Sequence, residues 1–265
     1  MIATETASAV RSPPNQGGEL RGPVAILMPV HDGEPGALGR TLGTLREHAE
    51  SFGGVVVFLV DDGSEDAVHL RDLPAQTAAF RVVLARHVVN LGQGAALETG
   101  RQLALAQPVA FPSLRRREAF TAYVTMDADG QHLEADARAL ARAVEEGADV
   151  AFGNRFLGDS NVPTGRHAVL VLARWFERFI TGLRLADAHN GLRGFSRTAL
   201  ERVPIRQNRM AHATEIKLRV SRASMRVVEV PVSVRYTRET LARGQRNLSG
   251  AIILCDLMLQ YLFGE

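Results

Sequence analysis

Apolar positions along the chain follow two rhythms. Val24 to Val30 and Val55 to Val60 are unbroken apolar runs, as expected of strands buried on both faces of a parallel sheet. Between them Leu38, Leu42 and Leu45 recur at helical spacing, so the three segments predict a βαβ unit. Val82-Val83-Leu84 predicts a third strand, and an Ala-rich helix follows from Ala95 to about Ala106. Residues 107–119, with two prolines and Arg115-Arg116-Arg117, read as a loop. Tyr123 to Met126 predicts a fourth strand, Leu133 to Glu146 a helix and Val150 to Phe152 a fifth strand.

Beyond residue 160 the pattern changes. Val169, Leu170, Leu172, Ala173, Phe176, Phe179 and Ile180 mark an amphipathic helix over 167–183. Arg193 to Arg197 reads as a strand, Ala213 to Ser221 as a helix and Val227 to Tyr236 as an alternating strand. A polar, basic loop spans 238–249, and 248–263 is an apolar helix with almost no polar face. Residues 1–21 are rich in Ser, Pro, Gly and Thr and predict a disordered tail. This order predicts an α/β fold with its ligand at the carboxyl ends of the strands.

Composition narrows the class. Hydrophobic residues make up 46% of the 265 and charged residues 23%, which excludes wholesale disorder. A single cysteine, Cys255, excludes an internal disulfide framework and a Cys-cluster zinc site. No run approaches the roughly 20 apolar residues that span a bilayer, and no basic-then-apolar leader opens the chain, so the expected setting is cytoplasmic. The net charge of +2 is unevenly spread: residues 1–192 carry 18 basic and 23 acidic side chains, residues 193–246 carry 13 and 4. A basic C-terminal quarter suits an anionic ligand, and its bases are arginines apart from Lys217. It lacks the interleaved aromatics of a single-strand binder, so nucleic acid is not an expected partner.

The chemistry-bearing residues cluster at strand ends. Asp61-Asp62-Gly63-Ser64 follows the second strand and Asp127-Ala128-Asp129 the fourth. Either pair alone reads as turn aspartates beside glycine. Two pairs at corresponding ends of one sheet instead point to a ligand crevice. Asp127 and Asp129, with Gln131 beyond, offer oxygens to a hard divalent cation that would take further ligands from a diphosphate. A dinucleotide-binding G-x-G-x-x-G is missing after the first strand, where Pro29-Val30-His31-Asp32-Gly33 stands. No phosphate-loop lysine precedes Lys217.

Pro29 after the first strand, then VVVFLVDDGS, NLGQGAALETG, VTMDADGQH and GNRFLG, resemble the family 2 glycosyltransferases with the GT-A fold. DAHNGLRGFSR and Glu229-Val230-Pro231-Val232 extend the likeness, which is nearest to the dolichyl- or polyprenyl-phosphate sugar transferases of surface-polysaccharide assembly. The resemblance implies a Rossmann-like, mostly parallel central sheet with helices on both faces and a mixed acceptor half. It implies a GT-A domain over 22–250, its nucleotide-sugar half 22–155 and acceptor half 156–250, followed by the apolar C-terminal helix 251–265. It places Pro29, His31, Glu34, Asp61 and Asp62 at the nucleoside, and Asn90, Gly92, Gly94, Asp127 and Ala128 along the nucleotide. Asp127, Asp129 and Gln131 would hold Mg2+ or Mn2+, with Asp129 close to the chemistry. Arg155, Arg166, His189, Asn190, Arg243 and Arg246 would face the acceptor and its phosphate. Two positions depart from the subgroup: Leu170 stands one turn after Arg166 where a small hydroxyl residue is usual, and the basic loop reads Arg243-Gly244-Gln245-Arg246-Asn247.

The implied reaction is an inverting displacement at the anomeric carbon of a nucleoside diphosphate sugar. A polyprenyl phosphate is already anionic and needs no base; a saccharide hydroxyl needs one, for which Asp187 and Glu215 are the candidates. Bland readings stand beside these. Asp187, His189 and Asn190 also read as turn residues, His212 and Glu215 as a solvated helix face, His132 as a helix-start residue, and Gly92 and Gly94 as helix-packing glycines. A non-catalytic nucleotide-sugar-binding module is the rival class. The 167–183 and 248–263 helices are expected to meet a membrane surface, a dimer partner or the sheet; the first of these would place the cytoplasmic protein peripherally at the inner face of the plasma membrane.

Overall fold

The computed structural model describes residues 19–34, 36–106, 120–157, 190–208 and 211–233, with residues 182, 183, 185 and 187 besides. The predicted tail up to residue 18, the 107–119 loop, the 167–183 helix save its last two residues, the basic loop and the C-terminal helix lie outside the described residues. So do Arg166, His189, Arg243 and Arg246.

In chain order the elements are β1 (Val24–Val30), α1 (Ala37–Glu47), β2 (Val55–Asp61), β3 (Phe80–Arg86), α2 (Gln93–Ala106), β4 (Ala122–Thr125), α3 (Glu134–Glu145), β5 (Val150–Asn154), β6 (Arg193–Phe195), α4 (Arg197–Arg202), α5 (Ala211–Arg222) and β7 (Val227–Pro231). The strands form one sheet in the order β3-β2-β1-β4-β6-β5-β7. All neighbours are parallel except β6, which runs antiparallel to both β4 and β5. The fold is therefore α/β with a mostly parallel sheet.

The unbroken apolar runs are explained by burial on two sides. Val24, Ile26 and Met28 of β1 pack with Val55, Val57 and Leu59 of β2 under α1 and α3. The alternate residues Ala25, Leu27, Val56 and Phe58 pack on the other face with α2, α4 and α5. Helices thus cover both faces, and period-two alternation sorts each strand's side chains between the two cores.

Some boundaries move. β3 runs from Phe80 to Arg86, well beyond the predicted Val82–Leu84, because it pairs along the full length of β2. The predicted strand Arg193–Arg197 ends at Phe195. Ser196 caps a helix there, its hydroxyl accepting from Ala199 N at 3.1 Å, so Arg197 is helical. Strand β7 stops at Pro231, and Val232 and Ser233 follow outside it. Among the described residues no helix is long and apolar enough to cross a membrane.

Candidate active site

The carboxyl ends of β1, β2 and β4 open on one side into a cleft of about 1290 Å³. That exceeds the usual volume of a small-ligand pocket and leaves room for a nucleotide with a further group attached. Of the sequence-derived site residues, Pro29, His31, Glu34, Asp62, Asn90, Gly92, Asp127, Ala128, Asp129 and Gln131 line it. Leu38, Leu91, Gln93 and Asn208 join them.

The two aspartates of β2 have separate surroundings. Asp61 is fully buried and turned away from the cleft. Its carboxylate accepts from Ser64 N at 2.9 Å and Val68 N at 3.1 Å, and Arg86 Nε lies 3.4 Å away. Burial alone would raise its pKa. The Ser64 and Val68 hydrogen bonds and the Arg86 charge outweigh that and hold it below the usual carboxylate range. Asp62 lines the cleft, yet its carboxylate accepts from His87 Nδ1 at 2.6 Å, Leu91 N at 3.0 Å and Gly92 N at 2.7 Å. His87 is fixed in turn by Thr99 Oγ1 at 2.9 Å. Three donors of the chain's own leave Asp62 about one free lone-pair direction for a nucleobase. Its first effect is to shape the 87–92 turn, where Gly92 holds φ at 96°, a value that favours glycine.

Past β4 the chain sets Asp127 and Asp129 at the cleft floor. Asp127 Oδ1 accepts from Gln93 Nε2 at 3.0 Å, and Oδ2 lies 3.3 Å from His132 Nε2. A Cβ on Gly191 would collide with the Asp127 carboxylate, which explains glycine there. Burial pushes the Asp127 carboxyl up, but the His132 hydrogen bond and charge, with Arg193 and His212 nearby, keep it below the usual range. Asp129 behaves oppositely. Burial and the charge of Asp127 push it up, against the opposing hydrogen bond from Gln131 N. Gln131 donates to Asp129 through N at 3.0 Å and Nε2 at 2.8 Å, leaving its amide oxygen as a further ligand group. Two carboxylates that repel one another beside an amide oxygen form an all-oxygen donor set, which suits Mg2+ or Mn2+.

The remaining candidates stand apart from the cleft lining. Asp187 is buried, and its Oδ2 accepts from Arg155 Nε at 2.7 Å and Arg155 N at 3.0 Å. Asn190 Nδ2 lies 3.4 Å from the same oxygen. Glu215 accepts from Arg206 N and Gln207 N, both at 2.8 Å, and pairs with Arg219 at 2.8 Å. His212 is buried rather than on a solvated face, and its charge helps hold the Asp127 carboxyl down. Gly94 lies under the main chain of Gln207, where any Cβ would collide with that carbonyl. His87, Gln93, Arg193 and Asn208 escaped the sequence reading. Gln93 stands inside a quoted motif and could have been found there; Asn208 belongs to no pattern.

The model of Glycosyl transferase family 2 matches residues 25–203. A polyprenol monophosphomannose synthase of Mycolicibacterium smegmatis is 30% identical over 206 residues, 75% of this chain and 72% of that protein. A UDP-N-acetylglucosamine–dolichyl-phosphate N-acetylglucosaminyltransferase of Methanococcus voltae is 23% identical over 256 residues, 89% of this chain and 95% of that one. Among solved structures, a mannosyltransferase of Pyrobaculum calidifontis in complex with GDP-mannose and Mn2+ superposes with a TM-score of 0.59 at 17% identity, covering 96% of this chain and 68% of that one.

Proposed function

The chain belongs to glycosyl transferase family 2, and from that premise we propose that it transfers a sugar from a nucleoside diphosphate to a polyprenyl phosphate. One observation carries the choice of acceptor. Asp187 and Glu215, the two candidate bases, are each engaged by donors of the chain itself: Asp187 accepts from the Arg155 side chain and main chain, and Glu215 from Arg206 N, Gln207 N and Arg219. A hydroxyl nucleophile would need one of them free. A phosphate oxygen is already ionised near neutral pH and needs no base. Two of the relatives are named for polyprenol or dolichyl phosphate, which supports the same reading.

In this reading Pro29, His31 and Glu34 receive the nucleoside, with Asp62 shaping the turn beside it. Asp127, Asp129 and Gln131 hold Mg2+ or Mn2+, whose chemistry is to offset the charge of the departing diphosphate. The phosphate oxygen attacks the anomeric carbon from the face opposite the diphosphate. The bond from that carbon to the β-phosphate oxygen breaks, its electron pair leaves with the nucleoside diphosphate, and the anomeric centre inverts. No proton has to move. Arg155 faces the acceptor phosphate, and Asp187 is a positioning residue that fixes it through Nε. Arg166, His189, Asn190, Arg243 and Arg246 complete the acceptor side.

The test supplies the purified chain and Mn2+ with a panel of UDP- and GDP-sugars. The acceptor is either a dispersed polyprenyl phosphate or the corresponding polyprenol. Labelled sugar is expected in the lipid phase with the phosphate alone. Transfer to the alcohol, or to a free saccharide hydroxyl, would overturn the proposal. So would binding of a nucleotide sugar with no turnover on any acceptor, which is the behaviour of a non-catalytic module.

A further inference from the structure

The link between α4 and α5 crosses the first turn of α2 under heavy restraint. Ile205 N donates to Glu98 Oε2 at 2.8 Å, and Arg206 N and Gln207 N donate to Glu215 Oε2 at 2.8 Å. Each carboxylate is itself gripped by an arginine on its own helix: Glu98 by Arg101 at 2.7 Å and Glu215 by Arg219 at 2.8 Å. The Gln207 carbonyl rests on Gly94, where no side chain fits. At the end of the segment Asn208 Oδ1 accepts from Ala95 N at 2.8 Å.

That last bond settles the orientation of the Asn208 amide. A main-chain N–H can only donate, so the atom facing it is the oxygen and Nδ2 points elsewhere. Asn208 is exposed and lines the cleft. Its Nδ2 has no hydrogen-bond partner among the described residues. A simple connection between two helices would not need three consecutive amides tied to two buttressed carboxylates. Such restraint holds one side chain in a fixed place, as a binding site requires.

We propose that segment 205–208 is a built wall of the donor site and that Asn208 Nδ2 donates a hydrogen bond to an oxygen of the bound nucleotide sugar. The inference rests on the donor class proposed above and deepens it. Glu98 and Glu215 are positioning residues acting through the segment. The oxygen belongs either to a hydroxyl of the transferred sugar or to the diphosphate; both are acceptors that an amide N–H can reach beside the carboxylates Asp62, Asp127 and Asp129 of the lining.

Calorimetric titration of the wild type and Asn208→Ala, in Mn2+, distinguishes the sources. The ligands are UDP-glucose, UDP and UMP, with GDP-mannose, GDP and GMP in parallel. Loss of about tenfold in affinity for the nucleotide sugar alone assigns the contact to the sugar. Equal loss for nucleotide sugar and diphosphate, with the monophosphate unchanged, assigns it to the diphosphate. Unchanged affinities overturn the proposal. Equal loss for all three ligands also overturns it, since the residue then only props the pocket. Asn208 is exposed, so the variant is expected to fold, and its circular dichroism and melting curve check this. A wild type that binds none of the six ligands would instead overturn the donor class, and the wall with it.

Discussion

Adjacent residues can have opposite orientations and separate tasks, and Asp61 and Asp62 do. Strand alternation sends Asp61 inward, where it orders Ser64, Val68 and Arg86, and Asp62 toward the cleft, where it orders the 87–92 turn. Asp61→Asn keeps the shape but turns an amide N–H2 toward groups that only donate. A loss of about 2–4 kcal/mol in unfolding free energy at neutral pH is expected, measured by urea titration. The Asp61 pKa is lowered on folding. Its contribution is therefore fully present above the unfolded value near 3.8 and is lost as pH falls through the folded value. The difference between wild type and Asp61→Asn should shrink on acidification below about pH 4 and stay constant above about pH 5. A gap that persists at low pH would place the effect in packing rather than charge.

At the scale of elements, Glu215 decides between two accounts of α5. As a general base it would act on a substrate; as an anchor it acts on the chain, holding Arg206 and Gln207. Glu215→Gln separates these, because glutamine keeps an oxygen for the two N–H groups but cannot take a proton. Loss of a base costs about 10²–10⁴ in kcat with substrate affinity intact. Loss of charge at an anchor should lower kcat by less than about tenfold, lower the melting temperature, and raise KM for the nucleotide sugar. The sequence announced the elements far better than such links between them. The runs of β1 and β2 and the Asp127–Asp129 pair were legible because burial on both faces demands apolar continuity and because carboxylates at a strand end are conspicuous. The end of β6 was legible only through Ser196, whose capping bond to Ala199 N starts a helix inside what reads as a continuous strand over 193–197. Asn208 was not legible, because its importance arises from Gly94 and Ala95 more than a hundred positions earlier. His87 was missed for the same reason: its partner Asp62 is distant in sequence and meets it only when β3 pairs with β2.

At the scale of the molecule, the site is a junction. Its lining comes from the ends of β1, β2 and β4, from the first turn of α2, and from Asn208 beyond β6. A ligand lying across them binds the folded arrangement and not the unfolded chain, so it must stabilise the whole. At a free concentration one hundred times its Kd the stabilisation is about 2.7 kcal/mol. For a domain of this size that raises the melting temperature by roughly 5–10 °C. The repulsion between Asp127 and Asp129 makes this gain conditional. Without a cation, a diphosphate would add negative charge beside a carboxylate that its surroundings keep ionised. The shift is therefore expected with nucleoside diphosphate and Mn2+ together, to vanish when the metal is chelated, and to be lost in Asp127→Asn. Mn2+ alone should give a smaller shift, because the described residues supply two carboxylates and an amide oxygen and the remaining ligands must come from water or the diphosphate. A full shift from the nucleotide in the presence of chelator would show that Asp127 and Asp129 serve the sugar or the fold instead, and the metal would leave the proposed reaction.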